Sequence, residues 1–262
     1  MQNVSSGRLS IDRAKRLHLV YILADNSTSM HPHIRDACKG LTAAADEYRE
    51  GETILRSDLH DGDGATIRVS LRWLNGDWHS REVHPDDFTP PTVEGYKCLG
   101  KTPLVGQSLF VLGDLVSRVK DYREQQGIRA RGHLIWFSDG EATDMSDEAS
   151  LAELKSLVSA LVNPLTADGE KANQVIDLYA ISIGPKARSF YDTIGVPADH
   201  IFDVPENLGV PFVKAMQRAS LLPASKTFEF PGDAFLRIMR EERKNRPSER
   251  LHWWPTTNPN GS

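Results

Sequence analysis

Two cysteines in 262 residues are too few for a disulfide scaffold. Cys38 and Cys98 leave the chain to fold on apolar burial, and a reducing cytosol is the expected compartment. No apolar run approaches the roughly 20 residues that a membrane helix needs, so no membrane contact is expected. Residues 1–16 are polar and basic, without the apolar stretch of a secretory leader. Excess positive charge is also missing: 31 Lys and Arg face 36 Asp and Glu, a net charge of −5. That argues against a general nucleic-acid surface, though not against a local basic patch. There is no internal repeat.

What the chain does have is alternation. The apolar run His18 to Ala24 predicts a buried strand. Ile34, Cys38, Leu41, Ala45 and Tyr48 then recur at helical spacing and predict a helix over 32–50. Ile67, Val69, Leu71 and Trp73 alternate with Thr66, Arg68, Ser70 and Arg72, which predicts a strand with one buried face. Asn75-Gly76 is a hairpin turn signal, with Trp78 to Val83 as the antiparallel partner.

Pro, Asp and Gly mark His84 to Lys101 as a loop. A helical stripe from Val105 to Val119, a short apolar strand from Leu134 to Phe137 and a second stripe from Leu151 to Leu161 follow. Val175 to Ile183 and Ile201 to Val204 predict strands, Ser189 to Ile194 a short helix and Glu206 to Leu222 a long one. This order predicts an α/β fold: a doubly wound, mostly parallel sheet with one antiparallel edge strand and helices on both faces. The expected organisation is a polar segment over 1–16, one domain over 17–222 and a partly ordered extension over 223–262.

Chemistry concentrates at predicted strand ends. The first strand is followed by Asp25-Asn26-Ser27-Thr28-Ser29, with three oxygen side chains at alternate positions. Thr102 stands in Gly100-Lys101-Thr102-Pro103-Leu104, opening the second long helix, and Asp139 closes a later strand in Ser138-Asp139-Gly140. In a doubly wound sheet these loops can converge at the carboxyl edge where the strand order reverses. An all-oxygen set suits a hard divalent cation.

Here the sequence resembles the von Willebrand factor type A family. That family's metal-ion-dependent adhesion site is Asp-x-Ser-x-Ser with a distal Thr and a distal Asp, matched by Asp25, Ser27, Ser29, Thr102 and Asp139. Met30 after Ser29, Thr-Pro-Leu at Thr102 and Ser-Asp-Gly at Asp139 also look like the family, over about Leu17 to Leu222. Within it, the chain looks most like stand-alone bacterial proteins of tellurium-resistance and stress operons; Phe212 and Ser220 resemble their final helix. Lys101 departs from the small residue usual before the Thr. The resemblance implies a Rossmann-like fold and a bound Mg²⁺ (or Mn²⁺ or Ca²⁺). It also implies a protein partner whose Asp or Glu completes the metal shell. That partner could be an ATPase, kinase or phosphatase of a stress or defence system. His31, Lys101 and Glu141 are rim candidates for that partner.

Each short motif also has a plainer account. Asp25-x-Ser27-x-Ser29 could cap a helix, Thr102 could cap the helix after Pro103, and Asp139-Gly140 could be a turn. Asp61-Gly62-Asp63-Gly64 lacks the acid that closes a calcium loop and reads as a solvated turn. His31 and His33 read as exposed loop residues, Cys38 as core, and Arg237 to Arg246 as a solvated helix face. Trp253-Trp254 is an aromatic pair in a polar tail, with no role assigned by its surroundings.

The leading functional expectation is a non-catalytic, Mg²⁺-dependent protein-binding module. An alternative is a haloacid-dehalogenase-like phosphatase, since Asp139 and Asp144 resemble the spacing of its acidic motif. Ser27 stands against it, because that chemistry uses a carboxylate there as acid and base. A second alternative keeps the fold but binds through the tail or hairpin, with the metal incidental.

Overall fold

The structure, a computed structural model, describes residues 16–57, 65–163, 175–205 and 209–225. Asp61 to Gly64, the Arg237 to Arg246 cluster and Trp253-Trp254 lie outside the described residues. In chain order the elements are β1 (Arg16–Ala24), α1 (Ile34–Ser57), β2 (Ala65–Trp73), β3 (Trp78–Val83), α2 (Leu104–Glu124) and β4 (Arg129–Ser138). Then follow α3 (Glu148–Val162), β5 (Ile176–Ile183), α4 (Pro185–Ile194), β6 (Ile201–Val204) and α5 (Gly209–Ser225). No helix among the described residues is long and apolar enough to cross a membrane.

One six-stranded sheet runs β3-β2-β1-β4-β5-β6. All neighbours are parallel except β3, which is antiparallel to β2 at the edge. The chain winds outward from β1 to β3, then restarts beside β1 with β4 and winds the other way. The order therefore reverses between β1 and β4. Their register pairs Ala24 with Phe137, so Asp25 and Ser138 leave the two strands side by side.

Helices cover both faces. Leu17, Leu19, Tyr21 and Leu23 alternate out of β1 into a core shared with Leu112 and Leu115 of α2, Trp136 of β4 and Leu154 of α3. On the opposite face the Phe137 and Phe212 rings meet edge-to-face at 5.4 Å. There α5 packs on α1 at Gly40, where an added Cβ would lie 2.5 Å from the Phe212 ring.

The β2 expectation needs correction. Its polar residues are buried too: Thr66 and Ser70 are fully covered and Arg68 nearly so. The strand lies inside the sheet with helices on both sides, so its polar face finds partners instead of water. Glu52 of α1 accepts from the Thr66 hydroxyl (3.1 Å) and the Ile67 amide (3.3 Å), and lies 2.7 Å from His84 Nε2. Arg68 donates to Thr66 Oγ1 and to the Ile67 carbonyl, both at 2.8 Å. Period two therefore marked the strand correctly, while polarity misread which face meets solvent.

The edge strand has its own anchor. Glu82 adopts φ 50°, an unfavourable backbone for a side chain. Its carboxylate accepts from Arg118 Nε at 2.5 Å, Arg118 Nη2 at 2.6 Å and the Tyr122 hydroxyl at 2.9 Å. Element ends also shift. β4 begins five residues before its apolar run, at Arg129, because backbone pairing with β1 and β5 continues through polar residues. Residues Thr28–His33 form a 3₁₀ turn and the α-helix starts only at Ile34, next to Pro32.

Candidate metal centre

The five matched residues reach the carboxyl edge of β1 and β4 from three loops. Asp25 is buried at the end of β1. Its Oδ1 accepts from the Ser27 amide at 2.7 Å, and its Oδ2 accepts from the Ser138 hydroxyl. The Tyr96 hydroxyl donates to the Asp25 carbonyl, and the Asp25 amide donates to the Phe137 carbonyl at 3.1 Å. Burial pushes the Asp25 carboxyl above its ordinary value, while the Ser138 and Ser27 bonds pull it down. Asp25 thus lies under the loop and shapes it.

The hydroxyls line up above. Ser27 Oγ lies 2.9 Å from Ser29 Oγ, and the Ser29 hydroxyl donates to Asp139 Oδ1 at 2.7 Å. Ser27 stands at the N-cap position of the 3₁₀ turn, yet its side chain makes no capping bond. The helix-cap account of Asp25-x-Ser27-x-Ser29 therefore fails for this hydroxyl.

Thr102 is buried beside the third loop. A Cβ built on Gly140 would lie 2.9 Å from Thr102 Oγ1, so only glycine lets the hydroxyl come this close without a shift. The Thr102 carbonyl accepts from the Thr143 amide at 2.9 Å. Thr102 is not the helix cap either: the N-cap position of α2 is Pro103, whose ring offers no hydrogen-bond acceptor. The first and second loops are tied by Thr28, whose amide and hydroxyl both donate to the Gly100 carbonyl, at 3.3 and 3.0 Å. Gly100 takes φ 65°, which glycine adopts freely.

A supporting layer was not legible as such. Asn26 accepts from the Asn75 amide at 2.7 Å and donates to the Lys97 carbonyl at 3.1 Å. Asn75 Nδ2 donates to the Lys101 carbonyl at 2.5 Å. The hairpin turn thereby holds both ligand loops. His33 is half-buried, with Nε2 3.8 Å from Asp139 Oδ2, which corrects its reading as a plain exposed residue. His31, Lys101 and Glu141 are exposed, on the three loops that carry the site. Burial, together with the Asp25 and Asp139 carboxylates, pushes the Cys98 thiol up, which disfavours the thiolate. Cys38 is buried on α1, with its thiol pushed up to about 11.

Asp144, the second acid of the phosphatase-like spacing, does not enter the site as a free carboxylate. Its two oxygens accept from the Val105 amide (3.1 Å) and the Gly106 amide (2.9 Å) at the start of α2. Among the described residues, no group of three or more His, Cys, Asp and Glu is placed to hold a metal. The donor set at the β1/β4 edge is of the other kind: neutral hydroxyls beside the Asp139 carboxylate. That set fits a hard cation such as Mg²⁺, which takes oxygen ligands and keeps waters.

No protein-family model matches the chain, and no curated protein matches it. Several solved structures resemble it at low identity. A von Willebrand factor type A protein from Catenulispora acidiphila is 15% identical with TM-score 0.47, over 80% of this chain and 43% of that one. Proximal thread matrix protein 1 from the mussel byssus, solved with a zinc-occupied MIDAS motif, is 15% identical with TM-score 0.42, over 82% and 47%. The vWF domain of the type V pili tip protein Mfa5 from Porphyromonas gingivalis is 12% identical with TM-score 0.37, over 78% and 94%. The chain spans less than half the length of the first two.

Proposed function

We propose that this chain is a metal-dependent protein-binding module of the von Willebrand factor type A kind. The observation that carries this reading is the oxygen row Ser27–Ser29–Asp139, with links of 2.9 and 2.7 Å, at the sheet's reversal point. Ser27, Ser29 and Thr102 would hold Mg²⁺ (or Mn²⁺ or Ca²⁺) through neutral oxygens. Asp25 and Asp139 would orient those hydroxyls or act through water, and both Asp25 oxygens already accept protein donors. A metal so held keeps most of its charge and supplies a Lewis-acid position for a partner's Asp or Glu.

This reading assigns no catalysis. Ser27 carries no acid/base group, and Asp144 is engaged by two helix amides. Both observations disfavour the phosphatase alternative. The module would extend over about 17–222, with His31, Lys101 and Glu141 on the rim that meets the partner. By resemblance, the partner would be an ATPase, kinase or phosphatase of a bacterial stress or defence system, in the cytoplasm.

Titration calorimetry with Mg²⁺ on the wild type, Asp25→Ala and Thr102→Ala tests the site. Saturable binding should appear only in the wild type, with all three proteins folded by circular dichroism. Pull-down in Mg²⁺ or EDTA, identified by mass spectrometry, tests the partner. Partner recovery unchanged by EDTA and by both variants would sink the metal-dependent reading and favour binding through the tail or hairpin.

A further inference from the structure

We infer that Asp144 is a positioning residue for the metal site, fixing Thr102 through the first turn of α2. This rests on the metal-binding reading above. The first amides of a helix have no partner within it. At α2 the usual side-chain cap is missing, because Pro103 occupies the N-cap position. Asp144, 39 residues after Val105 in the chain, fills that role by accepting from Val105 and Gly106. A carboxylate is also the charge that a helix N-terminus favours.

The consequence lies one residue upstream. Thr102 directly precedes Pro103, and its carbonyl accepts both the Leu104 amide (2.8 Å) and the Thr143 amide (2.9 Å). Gly140 closes against its hydroxyl from the other side. The loop of Asp139 therefore holds the loop of Thr102 at three points: Gly140, Thr143 and Asp144. Two ligand-bearing loops become one body, and of the three ties the carboxylate latch is the two-pronged one, with hydrogen bonds from two amides. The start of α3 does not depend on it. Asp147 caps α3 separately, accepting from the Ser150 amide at 3.1 Å and the Ser150 hydroxyl at 2.7 Å.

The test uses Mn²⁺ as probe, followed by electron paramagnetic resonance, on the wild type, Asp144→Ala and Asp144→Asn. Amide hydrogen exchange is measured in the same proteins without metal. Asp144→Ala should weaken Mn²⁺ binding about tenfold or more, in the range for residues that orient ligands. Exchange should rise at Val105 and Gly106 and stay unchanged in β1 and α3. Asp144→Asn keeps one acceptor and should recover part of the affinity, which a general loss of folding would not allow. Wild-type affinity in Asp144→Ala would overturn the inference and leave the metal site standing. Unchanged exchange at Val105 and Gly106 would overturn the latch without reference to metal. A wild type that takes no Mn²⁺ would overturn the metal reading itself, and this inference with it.

Discussion

The Ser29 hydroxyl donates to Asp139 Oδ1 at 2.7 Å, joining residues 110 positions apart. This bond joins side chains on the two loops that follow adjacent strands at the reversal of the sheet. Ser29 is exposed, so its hydroxyl contributes little to the core. Ser29→Ala should therefore leave thermal unfolding of the metal-free protein nearly unchanged. Mg²⁺ affinity by calorimetry should fall about tenfold or more, through loss of an oxygen and of the orientation of Asp139.

Gly140→Ala probes the same centre by volume. The added Cβ would stand 2.9 Å from Thr102 Oγ1 and 3.4 Å from Thr102 Cγ2. Gly140 is not at positive φ, so crowding of Thr102 is the main effect. The expected outcomes are a loss of about 1–3 kcal/mol in denaturant unfolding, the usual cost of overpacking, and weaker Mg²⁺ binding by calorimetry.

Glu82 supplies a pH signature. Burial raises its carboxyl, but hydrogen bonds from Arg118 and Tyr122 outweigh that and hold it below its ordinary 4.5. A depressed folded-state value stabilises the fold above the unfolded value and is lost as pH falls through the folded one. Glu82→Gln should thus be less stable than the wild type at pH 7. The gap should narrow below about pH 4.5, checked by urea unfolding across pH 3–7.

Gly40→Ala probes how α5 sits on α1. A Cβ at position 40 would meet the Phe212 ring at 2.5 Å and Met216 Cγ at 2.9 Å. Destabilisation of about 1–3 kcal/mol is expected. Phe212→Leu in the same chain should recover part of it, a coupling that a double-mutant cycle in denaturant unfolding measures. Additive effects would show that the two residues do not press on one another.

Much of the architecture was legible because burial writes periods into a chain. Alternate apolar residues marked β2, stripes at helical spacing marked α1 to α3, and Asn75-Gly76 marked the hairpin. The parallel direction of most strands follows from that alternation, since parallel neighbours need helical crossovers, whereas their order was read from the structure. The positions of Asp25, Ser27, Ser29, Thr102 and Asp139 were legible as loop residues at strand and helix ends. Less legible were the roles of Ser138, Tyr96 and Asn26, which sit beside those residues and hold them. Their side chains act on backbone or carboxyl groups of another loop, and no local pattern reports that.

By itself, then, the sequence determined the elements, their alternation and which loops carry oxygen. Tertiary structure alone decided that Thr66, Arg68 and Ser70 turn inward to partners, and that His33 reaches toward Asp139. It also decided that Asp144 closes the start of α2 and does not stand free as an acid. The reason is common to all three. Periodicity records how each residue faces its own strand or helix, whereas these contacts depend on which distant segment folds against it.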